Sequence, residues 1–140
     1  MKHIKITECH FHDLIISNTT FDGRTLKLFL SRDLHNTTCH DFEISIPLDK
    51  DENDVSIYYF KQYPRFRKVK LKGKEISFHS FESFFRRKCS LVIVDFLVST
   101  DLNIIVFDCV LFPYSSKPGV YKKIKLEISI DDDYIVFQEK

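Results

Sequence analysis

Apolar and polar side chains alternate along much of this chain with a period of two residues. Successive side chains of a β-strand point to opposite faces, so each alternating stretch predicts a strand with one buried face. The clearest stretches have apolar positions at Leu26, Leu28 and Leu30, at Phe42, Ile44 and Ile46, and at Ile124, Leu126, Ile128 and Ile130. The pattern predicts a mainly β protein with antiparallel strands.

The dipeptide Asp22-Gly23 separates two apolar runs and predicts a hairpin turn. A two-residue loop would place Ile15 opposite Leu30, whereas a three-residue loop with a left-handed glycine would place Leu14 there. The three-residue loop puts more apolar surface on one face, and strand register follows the buried face. We therefore expect the three-residue loop.

Residues 91–98 and 104–112 are almost continuously apolar and predict a central hairpin that is buried on much of both faces. Asp95 and Asp108 interrupt these two runs. An even number of loop residues would put both carboxylates on one face of the sheet, and an odd number would put them on opposite faces. On one face they could share a proton, hold a cation, or meet basic side chains from residues 61–74.

One segment departs from the alternation and predicts a short helix over about residues 78–87. Its aromatic residues share one helical face: Phe78, Phe81, Phe84 and Phe85. Ser77 suits the N-cap of this helix. The expected fold is an antiparallel two-layer sandwich or a strongly curled sheet, partly covered by the helix, in a single domain of residues 1–140.

The net charge of +1 conceals a strong segregation, because residues 61–90 carry 10 basic and 2 acidic side chains between acidic flanks. The run 61–74 holds seven of these basic residues, interleaved with Tyr63 and Phe66. Such a run suits a solvated edge strand whose lysines prevent aggregation. It also suits an acidic protein partner. It also suits nucleic acid, through phosphate contacts and base stacking.

Two charged segments are candidates for contact with a partner. An acidic loop at 49–54, or the acidic turn at 131–133, would suit a basic nuclease, whereas the basic run would suit an acidic partner. The residues that we expect to contact a partner are Asp49, Asp51, Glu52, Asp54, Arg65, Arg67, Lys68 and Lys70.

Cysteine and histidine residues occur together in two clusters: Cys9, His10 and His12, and His35, Cys39 and His40. On a strand, His10 and His12 would point to the same side, and His40 or Cys39 would add a third metal ligand if the two segments pair. The spacing matches no closed zinc motif, and exposed strand or loop positions also explain these histidines. A metal-dependent enzyme is therefore an alternative function, while we expect no bound metal and no cofactor.

The remaining features favour a cytoplasmic protein without enzymatic activity. The N-terminus has no signal-peptide pattern, and the longest apolar stretch, "LVIVDFLV", has eight residues, too few to cross a bilayer. The four widely spaced cysteines are expected to be free thiols. With three isolated glycines, the chain has no Gly-rich phosphate loop and no nucleophile elbow.

The segment "FHDLIISNTTFDGRTLKLFL", followed by another alternating strand, places a His-Asp pair before a first hairpin. In this layout, residues 11–46 resemble small β-rich bacterial immunity proteins of contact-dependent inhibition and other polymorphic-toxin systems. The resemblance implies an intracellular protein that neutralises a cognate toxin domain by direct occlusion, and it identifies no site residues. The alternative from the residues themselves is a nucleic-acid-binding module that uses the run 61–74.

Overall fold

The computed structural model describes residues 2–5, 10–34, 41–48, 55–65, 68–99, 104–130 and 134–139. Its elements, in chain order, are β1 (Lys2–Lys5), β2 (Ile15–Phe21), β3 (Thr25–Ser31), β4 (Phe42–Pro47), β5 (Val55–Arg65), β6 (Lys68–Ile76), α1 (Phe78–Arg86), β7 (Ser90–Ser99), β8 (Ile104–Phe112), β9 (Tyr121–Ser129) and β10 (Tyr134–Glu139). The prediction of a mainly β protein with one short helix near residues 78–87 is confirmed.

The strands in the described ranges form one antiparallel sheet in the order β1-β10-β4-β3-β2-β7-β8-β9-β5-β6. Although β3, β2, β7 and β8 lie between β4 and β9 in this order, an isolated bridge joins Leu48, after β4, to Ile130, after β9. The two halves of the sheet can meet in this way because the sheet curls on itself. The prediction of an antiparallel fold, as a two-layer sandwich or a strongly curled sheet, is thus confirmed.

One face of the curled sheet, called here the core face, carries the hydrophobic core. Apolar residues at alternate positions of β3, β4, β8 and β9 are buried in one cluster: Leu26, Leu28, Leu30, Phe42, Ile44, Ile46, Ile105, Phe107, Cys109, Leu111, Ile124, Leu126 and Ile128. Intervening residues point to the opposite, outer face and are partly exposed. Because burial of apolar surface is the main force that favours folding, this alternation determines which way each strand faces.

The expected register of the first hairpin is wrong: Ile16, not Leu14, lies opposite Leu30. The carboxylate of Asp22 accepts the N–H groups of Arg24 at 2.9 Å and Thr25 at 2.8 Å, so this residue begins the turn. The ladder also shifts between Ile16 and Asn18, a β-bulge that neither of the two considered registers contained. The bulge restores the apolar side chain of Ile16 to the core face.

Helix α1 covers the core and contacts two strands, β2 and β5, that are not neighbours in the sheet. Its side chain Phe81 is fully buried, with ring centroids 5.9 Å from Phe78 and 5.1 Å from Phe85. Phe78 contacts Phe21 of β2 at 5.3 Å, while Phe84 stacks on Tyr59 of β5 at 5.8 Å. The aromatic stripe that predicts the helix is therefore also its contact surface with the sheet.

The predicted N-cap of α1 is confirmed, since the Oγ of Ser77 accepts the N–H of Ser80 at 3.1 Å. Replacing Ser77 by alanine should lower the free energy of unfolding by about 1 kcal/mol, because an N-terminal amide of the helix loses its acceptor. Urea unfolding monitored by circular dichroism measures this loss. Ser77→Asp retains an acceptor and should keep most of the stability; an equal loss in both variants would contradict the capping role.

Candidate functional site

Asp95 and Asp108 are directly opposite each other in the β7–β8 hairpin, on the outer face of the sheet. Ser99 pairs with Ile104, so residues 100–103 connect the strands and the loop length is even. Of the two arrangements that the sequence leaves open, the shared face is the one that the chain adopts. Both residues are partly exposed.

A β-bulge next to Asp95 displaces one apolar residue outwards. The β7–β8 register shifts between Ile93 and Asp95, and Val94, the extra residue, is 46% exposed. The segment before β2 supports the bulge, because the N–H of Asp13 donates to the carbonyl of Ile93 at 2.9 Å and Nδ1 of His12 lies 3.2 Å from the carbonyl oxygen of Val94. The opening "HFHD" segment therefore has a structural role beside this bulge.

The two carboxylates have no ion-pair partner among the residues that the structure describes. Lys125 lies opposite Asp108 on β9, but its Nζ is 3.2 Å from Oε1 of Glu127. Oδ1 of Asp95 accepts the N–H of Phe96 at 2.9 Å. Like charges directly opposite each other in a sheet are unfavourable, and Lys123 and Lys125 line the same groove as this pair.

A groove of about 540 Å³ contains the carboxylate pair, and we call it the outer groove. Its lining includes Phe60, Val94, Asp95, Asp108, Lys123 and Lys125. The ring of Phe60 lies against Gly73 of β6, where the absence of a side chain allows this close contact. Leu97, two residues beyond Asp95, is 54% exposed. The outer groove thus combines opposed charges with the exposed side chain of Val94, and Leu97 adds an exposed apolar side chain beside it.

The basic run folds into the β5–β6 hairpin, and β6 is an edge strand of the sheet. This position confirms the edge-strand interpretation of its alternating lysines. Arg65 pairs with Lys68, and Tyr63 with Lys70, along the hairpin ladder. The other predicted contact residues, Arg67, Asp49, Asp51, Glu52 and Asp54, lie outside the described residues.

Lys122 of β9 lies beside the basic β5–β6 hairpin, a position that the sequence did not predict. Lys122 lies opposite Lys61 of β5, and Lys61 lies opposite Lys72 of β6, so three exposed lysines form a row across three strands. We call these residues the lysine row. The alternation of Ile124, Leu126 and Ile128 already places Lys122 on the core face, but the neighbouring strand was not predictable from it.

The candidate metal ligands His10 and His12 are exposed, and they lie in a turn before β2. Residues 10–14 are not in a strand, and Asp13 has a φ of 67°, so the strand on which these two histidines would share one side does not include them. Cys9, His35, Cys39 and His40 lie outside the described residues. Across the described ranges, no three His, Cys, Asp or Glu side chains are close enough together to hold a metal ion.

Cys109 and Cys89 are free thiols in different environments. Cys109 is on the core face, where burial raises its pKa and the neighbouring carboxylate of Asp108 raises it further. The thiol therefore remains protonated, which makes it unsuited to nucleophilic catalysis. Sγ of Cys89 lies 3.9 Å from the carbonyl oxygen of Arg87, at the end of α1.

Comparison of this chain with protein-family models, curated proteins and solved structures yields no match. Within the described ranges, the structure contains no helix with the length and apolar content that a membrane crossing requires.

Proposed function

We propose that this protein is an immunity-type binding protein that neutralises a cognate toxin domain by direct occlusion. The observation that carries the proposal is the outer groove, where Val94 is exposed beside the opposed Asp95 and Asp108. Leu97, outside the groove lining, is exposed two residues further along β7. Binding energy at protein interfaces is concentrated in a few desolvated side chains. The combination suits a partner that presents an apolar patch beside a basic side chain.

The stiffness of this surface also supports occlusion. The groove is built on strands β7, β8, β9 and β5, whose cross-strand partners are paired along most of their length. Side chains on paired strands lose little additional conformational freedom on binding, which favours affinity. The resemblance of residues 11–46 to immunity proteins supports the same proposal.

The opposed carboxylates, in a groove that also holds Lys123 and Lys125, suggest which group of a toxin the groove would cover. A guanidinium or ammonium group between Asp95 and Asp108 would relieve the repulsion between the two carboxylates. A basic nuclease domain is a toxin with such groups around its active site. Covering them would prevent substrate from binding without any chemical step.

Leu97→Asp is expected to weaken binding to the toxin by about tenfold or more, because it places a charge at the apolar part of the interface. The measurement is calorimetric titration against the protein encoded by the adjacent upstream gene. Tyr114→Asp is the matched control, since Tyr114 is 52% exposed but lies after the end of β8, whereas Leu97 is on β7 two residues from Asp95. If the neighbouring gene product forms no complex, or if both variants bind equally well, the proposal fails.

A further inference from the structure

The core face of β9, β5 and β6 continues beyond the end of the hydrophobic core. Along β5, Ile57 is buried, Tyr59 is half-buried and Lys61 is exposed, and Tyr63 follows on the same face. The strand therefore leaves the core while it is still paired on both sides by β6 and β9. An accessible extension of the sheet results.

Every described side chain on this extension is a tyrosine or a lysine, and we call the surface the Tyr-Lys face. Its members are Tyr59, Lys61, Tyr63, Lys72, Lys74 and Lys122. No aliphatic or acidic side chain is among them. The composition is unlike that of the outer groove, which combines both signs of charge with apolar residues.

The lysine row within this face is electrostatically unfavourable in the isolated protein. Lys61 lies directly opposite both Lys72 and Lys122, and none of the three has an ion-pair partner among the described residues. Directly opposite like charges destabilise a sheet. Adjacent strands are about 4.8 Å apart, so the row presents three positive charges within about 10 Å. Such a row suits a linear series of negative charges.

Arg87, the C-cap residue of helix α1, adds a further cation next to the Tyr-Lys face, and Phe84 of α1 packs against one of its tyrosines. The guanidinium of Arg87 lies 5.1 Å from the ring centroid of Phe84, which stacks on Tyr59 with an interplanar angle of 10°. Burial raises the pKa of the Tyr59 hydroxyl, and the charge of Arg87 acts in the opposite direction. Tyr59 is thus fixed in place, while Tyr63 lies beyond this stack.

We propose that the Tyr-Lys face binds single-stranded nucleic acid, with the lysine row contacting phosphates and Tyr63 stacking on a base. Lysines alone would serve an acidic protein surface as well. Tyrosines alternating with lysines on one face of a strand match the stacking and phosphate contacts of single-strand binding. This surface and the outer groove are on opposite faces, so the inference does not depend on the proposed toxin partner.

The test is fluorescence anisotropy of a short labelled oligothymidylate, titrated with the whole protein from low salt upwards. The wild-type affinity should fall steeply as salt increases, because phosphate contacts release counterions. In the triple variant K61A/K72A/K122A, the slope of log K against log salt should decrease in magnitude by about 2, since each lost contact to a single strand removes about 0.7.

The matched control is the triple variant K27A/K123A/K125A, which removes the same charge from positions outside the Tyr-Lys face. Lys123 and Lys125 point to the outer face, next to Lys122 in sequence, and Lys27 is on β3. This variant should retain the wild-type slope. All six positions are at least partly exposed, and equal unfolding midpoints of the two triple variants would establish that each is folded.

A second variant tests stacking separately from charge. Tyr63→Ala should lower the affinity by about fivefold to a hundredfold with an unchanged salt slope. Its control, Tyr58→Ala, removes a tyrosine of the same strand from the outer face, where Tyr58 stacks on Phe60, and should bind as the wild type does.

Three results would overturn the inference. The first is no salt-sensitive binding of oligothymidylate, and the second is an equal change of slope in the two triple variants. The third is polyglutamate binding as tight as that of the oligonucleotide together with an unaffected Tyr63→Ala, which would assign the face to acidic proteins. Loss of toxin binding in Leu97→Asp with intact oligonucleotide binding would separate the two proposals.

Discussion

Replacing Phe81 by alanine is expected to lower the free energy of unfolding by about 3–5 kcal/mol. Phe81 is fully buried between α1 and the sheet, and its ring contacts Phe78 and Phe85. The substitution removes apolar surface from the core and leaves a cavity that the aromatic neighbours fill incompletely. Since a domain of this size is stable by about 5–15 kcal/mol, much of the stability would be lost.

Phe84→Ala is the matched control for this prediction, because it removes the same atoms from the same helix at a half-buried position. It should lower the stability by less than half as much as Phe81→Ala. Urea unfolding followed by circular dichroism measures both variants. Equal losses of stability in the two variants would mean that Phe81 does not anchor α1 to the core.

Cys109 should make the protein less stable at alkaline pH, by about 2 kcal/mol at pH 10. Burial holds the pKa of the folded thiol above its ordinary value, whereas the unfolded thiol ionises near pH 8.5, so above about that pH the unfolded chain binds fewer protons. The contribution of the protonated thiol to the free energy of unfolding is fully present below about pH 8.5. Above that pH, the free energy of unfolding falls by about 1.4 kcal/mol per pH unit.

The measurement is the free energy of unfolding between pH 7 and pH 10, under reducing conditions, for the wild type and for Cys109→Ala. The difference between the two curves isolates this thiol from other titrating groups. Cys89→Ala, which leaves Cys109 in place, should retain the alkaline decline. If the curves of the wild type and Cys109→Ala are parallel throughout, the thiol is not buried as the structure has it.

Local sequence patterns were sufficient for several strands, for the helix and for the side chains that face the core. The expectation that residues 91–98 and 104–112 are buried on much of both faces is wrong, because their outer-face side chains are partly exposed. The stretches around Leu28, Ile44 and Leu126 became strands with those side chains on the core face. Helix α1 and its cap at Ser77 followed in the same way. These features depend on the residue period and on short-range hydrogen bonds, both of which are visible in a single chain.

Register within the hairpins was less predictable. The bulges next to Ile16 and Val94 each insert one residue, and neither has a signal in the local composition. The first was needed to restore an apolar side chain to the core, and the second is held by contacts from His12 and Asp13, far away in sequence. Bulges of this kind are determined by tertiary contacts rather than by propensity.

In the candidate sites, too, some features follow from the local sequence and others from tertiary contacts. The sequence by itself predicted an antiparallel two-layer sandwich or strongly curled sheet with one short helix, a basic run suited to an edge strand, and two aspartates within apolar strands. Only the tertiary structure decided that these aspartates are opposite each other and that Lys122 joins Lys61 and Lys72. Alternation assigns a residue to a face, but the order of the strands assigns its neighbours, and that order arises from long-range pairing.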